Sequence, residues 1–564
     1  MEQKQYTVLI YTLYYGTDKL PDRNIDRIKG LNRDNVLRFL IQIKIAVAQT
    51  QGKNITHPFI RLLIKNLPKD HGSRLASMLV MENQAYFLTT PVIVNQIIAD
   101  ILNEPTDAEI PDKNHVEYFA LALLELIMIY NDHHFRAVLI GNRPDNHDLV
   151  WEFMQMQNIN GNNPASFVRN GIIKHAIFFE FLKSYLGDKY DEFEQQLSKQ
   201  IGIKALTNSV MLYIQLQITQ NHVSGTDKPL IIIGTDDELY PVIHELRLVI
   251  DVQNKEGNYD CGRLMMHPFL KLSDQRLYLT GTHDFSLITD KGWEFFLFTA
   301  GKIGAFIPEI KNVNSLLSFL GYHYAEKFLM GKIFAALNRT GLRVIPSDDT
   351  QTPDFTLILN ETDIFIIEVK AVALNYKTWQ DQNLPAFKTY LDEQFVKGKK
   401  GVIQLHKCLK NLAERPEELF GLRTPLKKLK IYPVIIYTEP HLTIAAVNDY
   451  IIENSPALNN SLSEQFQRVM PVTMIHHDFF IENFKVLRQD KSILKKAIVK
   501  YHQTVADRKR KYKKFNSTAN YINAMQSFDN LIAENFGLYE VPQDIITEEL
   551  KPIFDSAKST QNFR

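Results

Sequence analysis

Asp354, Glu368 and Lys370 are the residues of this 564-residue chain whose types and spacing most directly promise chemistry. Glu368 and Lys370 stand two positions apart at the end of an apolar run, so on a strand both side chains leave the same face. Asp354 begins the preceding apolar run, directly after Pro353. A hairpin between the two runs brings Asp354 opposite Glu368 or its neighbour, with Cβ atoms about 5 Å apart. Carboxylates that close repel unless a cation sits between them. A hard divalent ion with oxygen ligands, Mg²⁺ above all, meets that need, with Mn²⁺ as a substitute. Lys370 beside it would hold or polarise a water.

The elements that must position these residues are readable on either side. Phe355 to Leu359 and Ile364 to Ile367 flank the polar turn Asn360 to Asp363, a short-loop hairpin. Taken alone, Glu368 and Lys370 also fit an edge strand whose exposed face carries charges against aggregation. Upstream, Leu316 to Asn338 reads as a helix stopping at Gly341, with Glu326 on the side of Tyr322, Met330, Ile333 and Leu337. Downstream, Gly401-Val-Ile-Gln404-Leu-His-Lys-Cys-Leu follows a polar stretch.

Helix-borne Glu326, Pro353-Asp354, Glu368-Val369-Lys370 and then Gln404 together resemble the motif order of the PD-(D/E)xK nuclease superfamily, whose fold is that of restriction endonucleases. The resemblance covers residues 312–445. It implies Mg²⁺ ligation by Asp354 and Glu368 with help from Glu326, and catalytic roles for Asp354, Glu368, Lys370 and Gln404.

Composition bounds the rest. Lys plus Arg and Asp plus Glu both number 64, so any nucleic-acid surface must come from local segregation of charge. The two cysteines, Cys261 and Cys408, are far apart, which excludes a cysteine-built zinc site and speaks against a disulfide scaffold. A reducing cytoplasm is expected, without a secretory signal. The greasiest run, Tyr118 to Tyr130, is too short for a bilayer and contains Glu125, so no membrane contact is expected. Gly141-Asn-Arg-Pro and Gly234-Thr-Asp-Asp lack the Gly-Lys-Ser/Thr of a phosphate cradle, which argues against an NTPase.

The chain length suggests three or four domains. Residues 1–225 read as an α-helical region without a chemical motif, and residues 226–311 as a strand-rich connecting segment. Strands are expected from Pro229 to Gly234, around His267 to Leu272, around Arg276 to Leu279, and from Ser286 to Asp290. That prelude resembles an arrangement in larger bacterial nucleases linked to phage defence. Residues 312–445 form the nuclease-like core, in which Ile431 to Tyr437 adds a strand that Pro433 confines to an edge or bulge. Residues 446–564 read as a mostly helical extension. Asp132-His-His and His476-His-Asp478 read as structural or solvated, because adjacent histidines diverge on a helix or strand.

Two basic clusters are candidate phosphate-tracking surfaces: Lys397, Lys399 and Lys400 near Gln404, and Arg508, Lys509, Arg510 and Lys511 with interleaved aromatics. The expectation is therefore an α+β multidomain protein. An α-helical N-terminal region precedes a restriction-endonuclease-like α/β core and a helical C-terminal region. The implied function is a Mg²⁺-dependent endonuclease acting on DNA rather than RNA, an effector of antiviral defence, with partner proteins or a second copy engaged through the N-terminal helices. The rival reading is a non-catalytic nucleic-acid-binding or scaffold protein on the same fold.

Overall fold

The computed structural model describes residues 5–23, 25–50, 56–80, 84–104, 116–140, 151, 177–201, 219, 223, 225–245, 247–254, 258–281, 297–298, 301–347, 351–374, 384–397, 401–455, 462–515 and 524–536. The chain is mixed α/β and divides into two compact units. The first comprises residues 1–144, 156–171 and 191–302; the second comprises 145–155, 172–190 and 303–564. The expected 1–225 and 226–311 segments thus contribute jointly to the first unit, and 312–445 and 446–564 lie together in the second.

In the first unit, strands β1 (Gln5–Val8) and β2 (Gln84–Phe87) pair in parallel among helices, a small sheet that the helical pattern hides. Helix α2 (Pro91–Asn103) packs against both α1 (Arg33–Thr50) and α3 (Val116–Ile140). The run expected to be a buried helix lies in α3, where Leu123 to Tyr130 is almost wholly buried apart from Glu125. Asp132 on α3 accepts the Thr12 N–H at 2.7 Å, and His133 Nε2 lies 2.7 Å from the Pro21 carbonyl. Burial and Arg23 push the His134 imidazole down to about 3. Asp132 and His133 each hold a backbone group in place. A four-stranded sheet follows, ordered β3 (Ile232–Ile233), β6 (Leu277–Leu279), β5 (Phe269–Lys271), β4 (Val249–Asp251). β4 is additional to the expected strands, and Ser286 to Asp290 lies outside the described residues.

The second unit is built on a six-stranded mixed sheet. Strands β7 (Leu342–Pro346), β8 (Phe355–Leu359) and β9 (Asp363–Lys370) run antiparallel, and β9 continues in parallel with β10 (Lys430–Tyr437). Two short strands, β11 (Arg468–Val469) and β12 (Thr473–His476), share the far side of β10. β9 is therefore an interior strand, buried along its whole length, and not a charge-protected edge.

Pro433 also lies in an interior strand, contrary to expectation, paired with Ile366. Lys430 and Thr438 donate their N–H groups toward β9, so even-numbered donors of β10 face that side. The N–H that Pro433 lacks would face the other side, where β11 has stopped at Val469 and β12 has not begun. The interrupted partner makes the proline tolerable.

Residue alternation separates the two faces. Phe355, Leu357, Leu359, Phe365, Ile367, Val369, Tyr432, Val434 and Ile436 form a core against helices on one side. Those helices are the end of α4 (residues 313–337), α9 (Phe484–Gln489), α10 (Ile493–Phe515) and α11 (Phe528–Phe536). The opposite face, carrying Ile364, Ile366, Glu368 and Lys370, meets α6 (Val402–Glu414), which follows α5 (Leu384–Leu391). Between these helices and α9 come α7 (Val447–Glu453) and α8 (Asp478–Glu482).

Candidate active site

The hairpin register decides the meeting of the two acids. Phe355 pairs with Ile367 and Leu359 with Asp363, so Asp354, next along, stands across from Glu368. Asp354 is half-buried and accepts the Val369 N–H on Oδ2 at 2.7 Å, a bond that ties the loop to the partner strand. The Lys370 ammonium lies 3.8 Å from Glu368 Oε2, with the two side chains only 7% and 4% exposed. A charge group this deeply buried is retained at a cost in desolvation and is a functional candidate on that ground.

The turn is one residue shorter than the polar run. Asn360 and Glu361 have φ of 51° and 57°, and the loop ends at Thr362. Asp363 is no solvated turn residue. It opens β9, buried, and accepts bonds from Tyr432 Oη at 2.8 Å and Lys495 Nζ at 2.9 Å.

Helix α6 covers the acids. Its buried stripe includes Leu405, Cys408, Leu409 and Leu412. Burial pushes the Cys408 thiol well up, and the negative charges of Glu368 and Asp354 push it further. Cys408 thus reports both carboxylates on the α6 side of the sheet. Gln404 is half-buried one turn earlier on the same helical face. The same helix holds the loop before Pro353: Asn411 Nδ2 donates to the Gln351 carbonyl and an Arg415 guanidinium N–H to Gln351 Oε1, both at 2.5 Å. Asp348 and Asp349 fall outside the described residues.

Glu326 lies in a helix whose hydrogen bonding departs from α-helical periodicity. The helix expected from Leu316 to Asn338 runs unbroken from Val313 to Leu337, but its middle, Leu320–Met330, has π-helical turns. Gly331 N–H bonds back to Glu326 O, five residues earlier. A Cβ on Gly321 would lie 2.9 Å from the Ala371 Cβ, so this side of the helix faces the carboxyl end of β9. Tyr322, placed with Glu326 by α-helical spacing, is 45% exposed, with the Lys327 ammonium 5.4 Å from its ring centroid. Glu326 is paired with Lys327 at 2.9 Å, and Lys327 also donates to the Ser347 carbonyl at 2.9 Å.

The carboxyl ends of the parallel strands hold further polar groups that the sequence reading passed over. Tyr437 pairs with Lys370 on one side and with His476 on the other. Glu439, buried two residues beyond, accepts the Leu374 N–H at 2.9 Å, fixing the chain after Lys370, and lies 2.6 Å from His441 Nδ1. Asp529 on α11 accepts from Tyr437 Oη and from His476 N–H, and burial pushes its carboxyl up to about 8. The available signal was positional: ligands gather beyond the carboxyl ends of parallel strands.

The basic clusters fare differently. Lys509 is held by Asp449 and, at 3.6 Å, by Glu453 on α7, and Arg510 pairs with Asp507. Lys509 is thereby committed within the protein, because an ammonium bound to a buried carboxylate is poorly placed to follow phosphates. Arg508 is half-buried; Lys511, Lys513 and Lys514 are exposed. Lys397 pairs with Asp392, while Lys399 and Lys400 lie outside the described residues.

The donor set suits a hard divalent cation. Asp354, Glu368 and Lys370 sum to one negative charge in a largely buried place, and the ligand atoms are carboxylate oxygens. No helix among the described residues is long and apolar enough to cross a membrane. Compared with protein-family models, with curated proteins and with solved structures, the chain matches none.

Proposed function

We propose that the second unit is a restriction-endonuclease-like core that hydrolyses phosphodiester bonds in DNA as an effector of antiviral defence. The observation that carries this reading is the juxtaposition of Asp354 and Glu368 across neighbouring strands, with Lys370 two residues on and the α6 face over both acids. Asp354 and Glu368 would hold Mg²⁺, with Glu326 as an additional ligand once it leaves Lys327. Bound there, the ion would stabilise charge developing on the scissile phosphate and acidify a water. Lys370 orients that water or neutralises the phosphate, its ammonium kept in place by Glu368. Gln404 positions water or backbone from α6, and Gln351, Asn411 and Arg415 keep the Asp354 loop from drifting.

The test is incubation of the pure protein with plasmid and with RNA, each with Mg²⁺ and with EDTA. Plasmid cleavage in Mg²⁺ alone, lost in Asp354→Ala and Glu368→Ala, is the expected result. Equal breakdown in EDTA, or cleavage that survives both substitutions, would overturn the proposal.

A further inference from the structure

A second cluster lies beyond β12. The strand ends at His476, α8 starts at Asp478, and His477 turns the chain between them with φ −58° and ψ −26°. The turn defeats the divergence expected of adjacent histidines: all three side chains are buried, and one ligand atom from each lies within 4.8 Å of the others.

Hydrogen bonding sets the direction of each ring. His476 Nε2 lies 3.3 Å from the Thr438 carbonyl, and His477 Nδ1 lies 3.4 Å from the Tyr437 carbonyl. A carbonyl only accepts, so each of these two nitrogens is the donor of its contact. The other ring nitrogens are His476 Nδ1 and His477 Nε2. They face the Asp478 carboxylate, at 3.7 Å to Oδ2 and 3.3 Å to Oδ1. His476 Nδ1 also receives the Asp478 backbone N–H, a long contact of 3.4 Å. Two imidazole nitrogens and a carboxylate converge in a buried place, a donor set that suits a metal cation. The carbonyls on the far side of each ring are the outer partners that metal-bound histidines commonly have.

We infer that His476, His477 and Asp478 bind a divalent first-row transition ion of the zinc type, separate from the all-oxygen site at Asp354 and Glu368. Imidazole donors select such ions over Mg²⁺. Three protein ligands leave a coordination position open for water or a substrate group. Register places His476 two strands from Lys370, with Tyr437 between them, so the two centres are on the order of 10 Å apart at the same end of the sheet.

The test uses the full chain, stripped with EDTA, loaded with Zn²⁺ and dialysed against zinc-free buffer. One zinc per chain should remain and should raise the melting temperature. Asp478→Asn and His477→Gln should each weaken zinc binding by at least roughly 10–100-fold, the loss seen when even an outer partner is removed. Their circular dichroism should be unchanged, and Asp354→Asn should keep the ion. Where a variant fails to fold, Co²⁺ titration of the unmodified chain decides, with visible ligand-field bands of histidine-bound cobalt saturating at one per chain. Zinc retention equal in all variants, retention lost only in Asp354→Asn, or no bound zinc and no cobalt bands would each overturn the inference. A bare proton between the rings and Asp478 would give that last outcome.

Discussion

Glu368 is the residue on which most of the site depends, because it puts a carboxylate on an interior strand beside Asp354 and beneath Cys408. In the metal-free protein this arrangement opposes folding through like-charge repulsion and desolvation. Glu368→Gln is expected to raise the melting temperature measured in EDTA while abolishing Mg²⁺-dependent cleavage. A lower melting temperature would mean that Glu368 serves the fold through Lys370 and not a ligand. Cys408 offers a second check at this scale. Its thiol is pushed well up by burial and by the two acids, and Cys261 is pushed up to about 12 by burial. Neither should react with a thiolate-specific alkylating agent at pH 8 in the folded chain, and both should react after denaturation, as read by mass spectrometry.

At the scale of elements, the π-helical stretch of α4 carries both Gly321 and Glu326. Gly321 permits the close approach to Ala371, so Gly321→Ala should cost about 1–3 kcal/mol by overpacking. Adding Ala371→Gly should restore much of that loss, and urea unfolding of the single and double variants measures the coupling. On α10, His502 accepts or donates at 2.8 Å to Thr473 Oγ1, and burial with Arg468 holds its imidazole down to about 4. Its folded value is below the unfolded one, so the unfolded chain binds more protons between pH 6.5 and 4. Stability from this group is present above that window and is lost as pH falls through it, by at most about 1.4 kcal/mol per unit. His502→Gln should flatten that slope in melting curves taken across the window.

Much at this scale was readable from the chain: two continuous apolar runs flanking a polar turn announced β8 and β9, and the hairpin register followed. The π-turns were not readable, since α-helical spacing is the default. Nor was the interior place of β10, because Pro433 is tolerated only through the break between β11 and β12. The His476 cluster was hidden for a similar reason: its convergence comes from a strand-to-helix turn and not from any periodic spacing.

Across the whole molecule, positive and negative side chains balance, so any affinity for DNA must come from local patches. The exposed lysines Lys511, Lys513 and Lys514 on α10 are the accessible part of the basic run. Replacing them by Gln should lower the salt dependence of DNA binding, each lost phosphate contact reducing the log–log slope by about 0.9. Lys509→Ala should leave that slope unchanged and instead destabilise the fold by about 1–3 kcal/mol, because it strands Asp449. The most direct test of the nuclease reading is the rate of cleavage of supercoiled plasmid against Mg²⁺ concentration, for the unmodified chain and for Asp354→Asn. The account predicts a saturable rise for the former and no cleavage above the EDTA blank for the latter. A flat response in the unmodified chain, or the same curve in both, would contradict it.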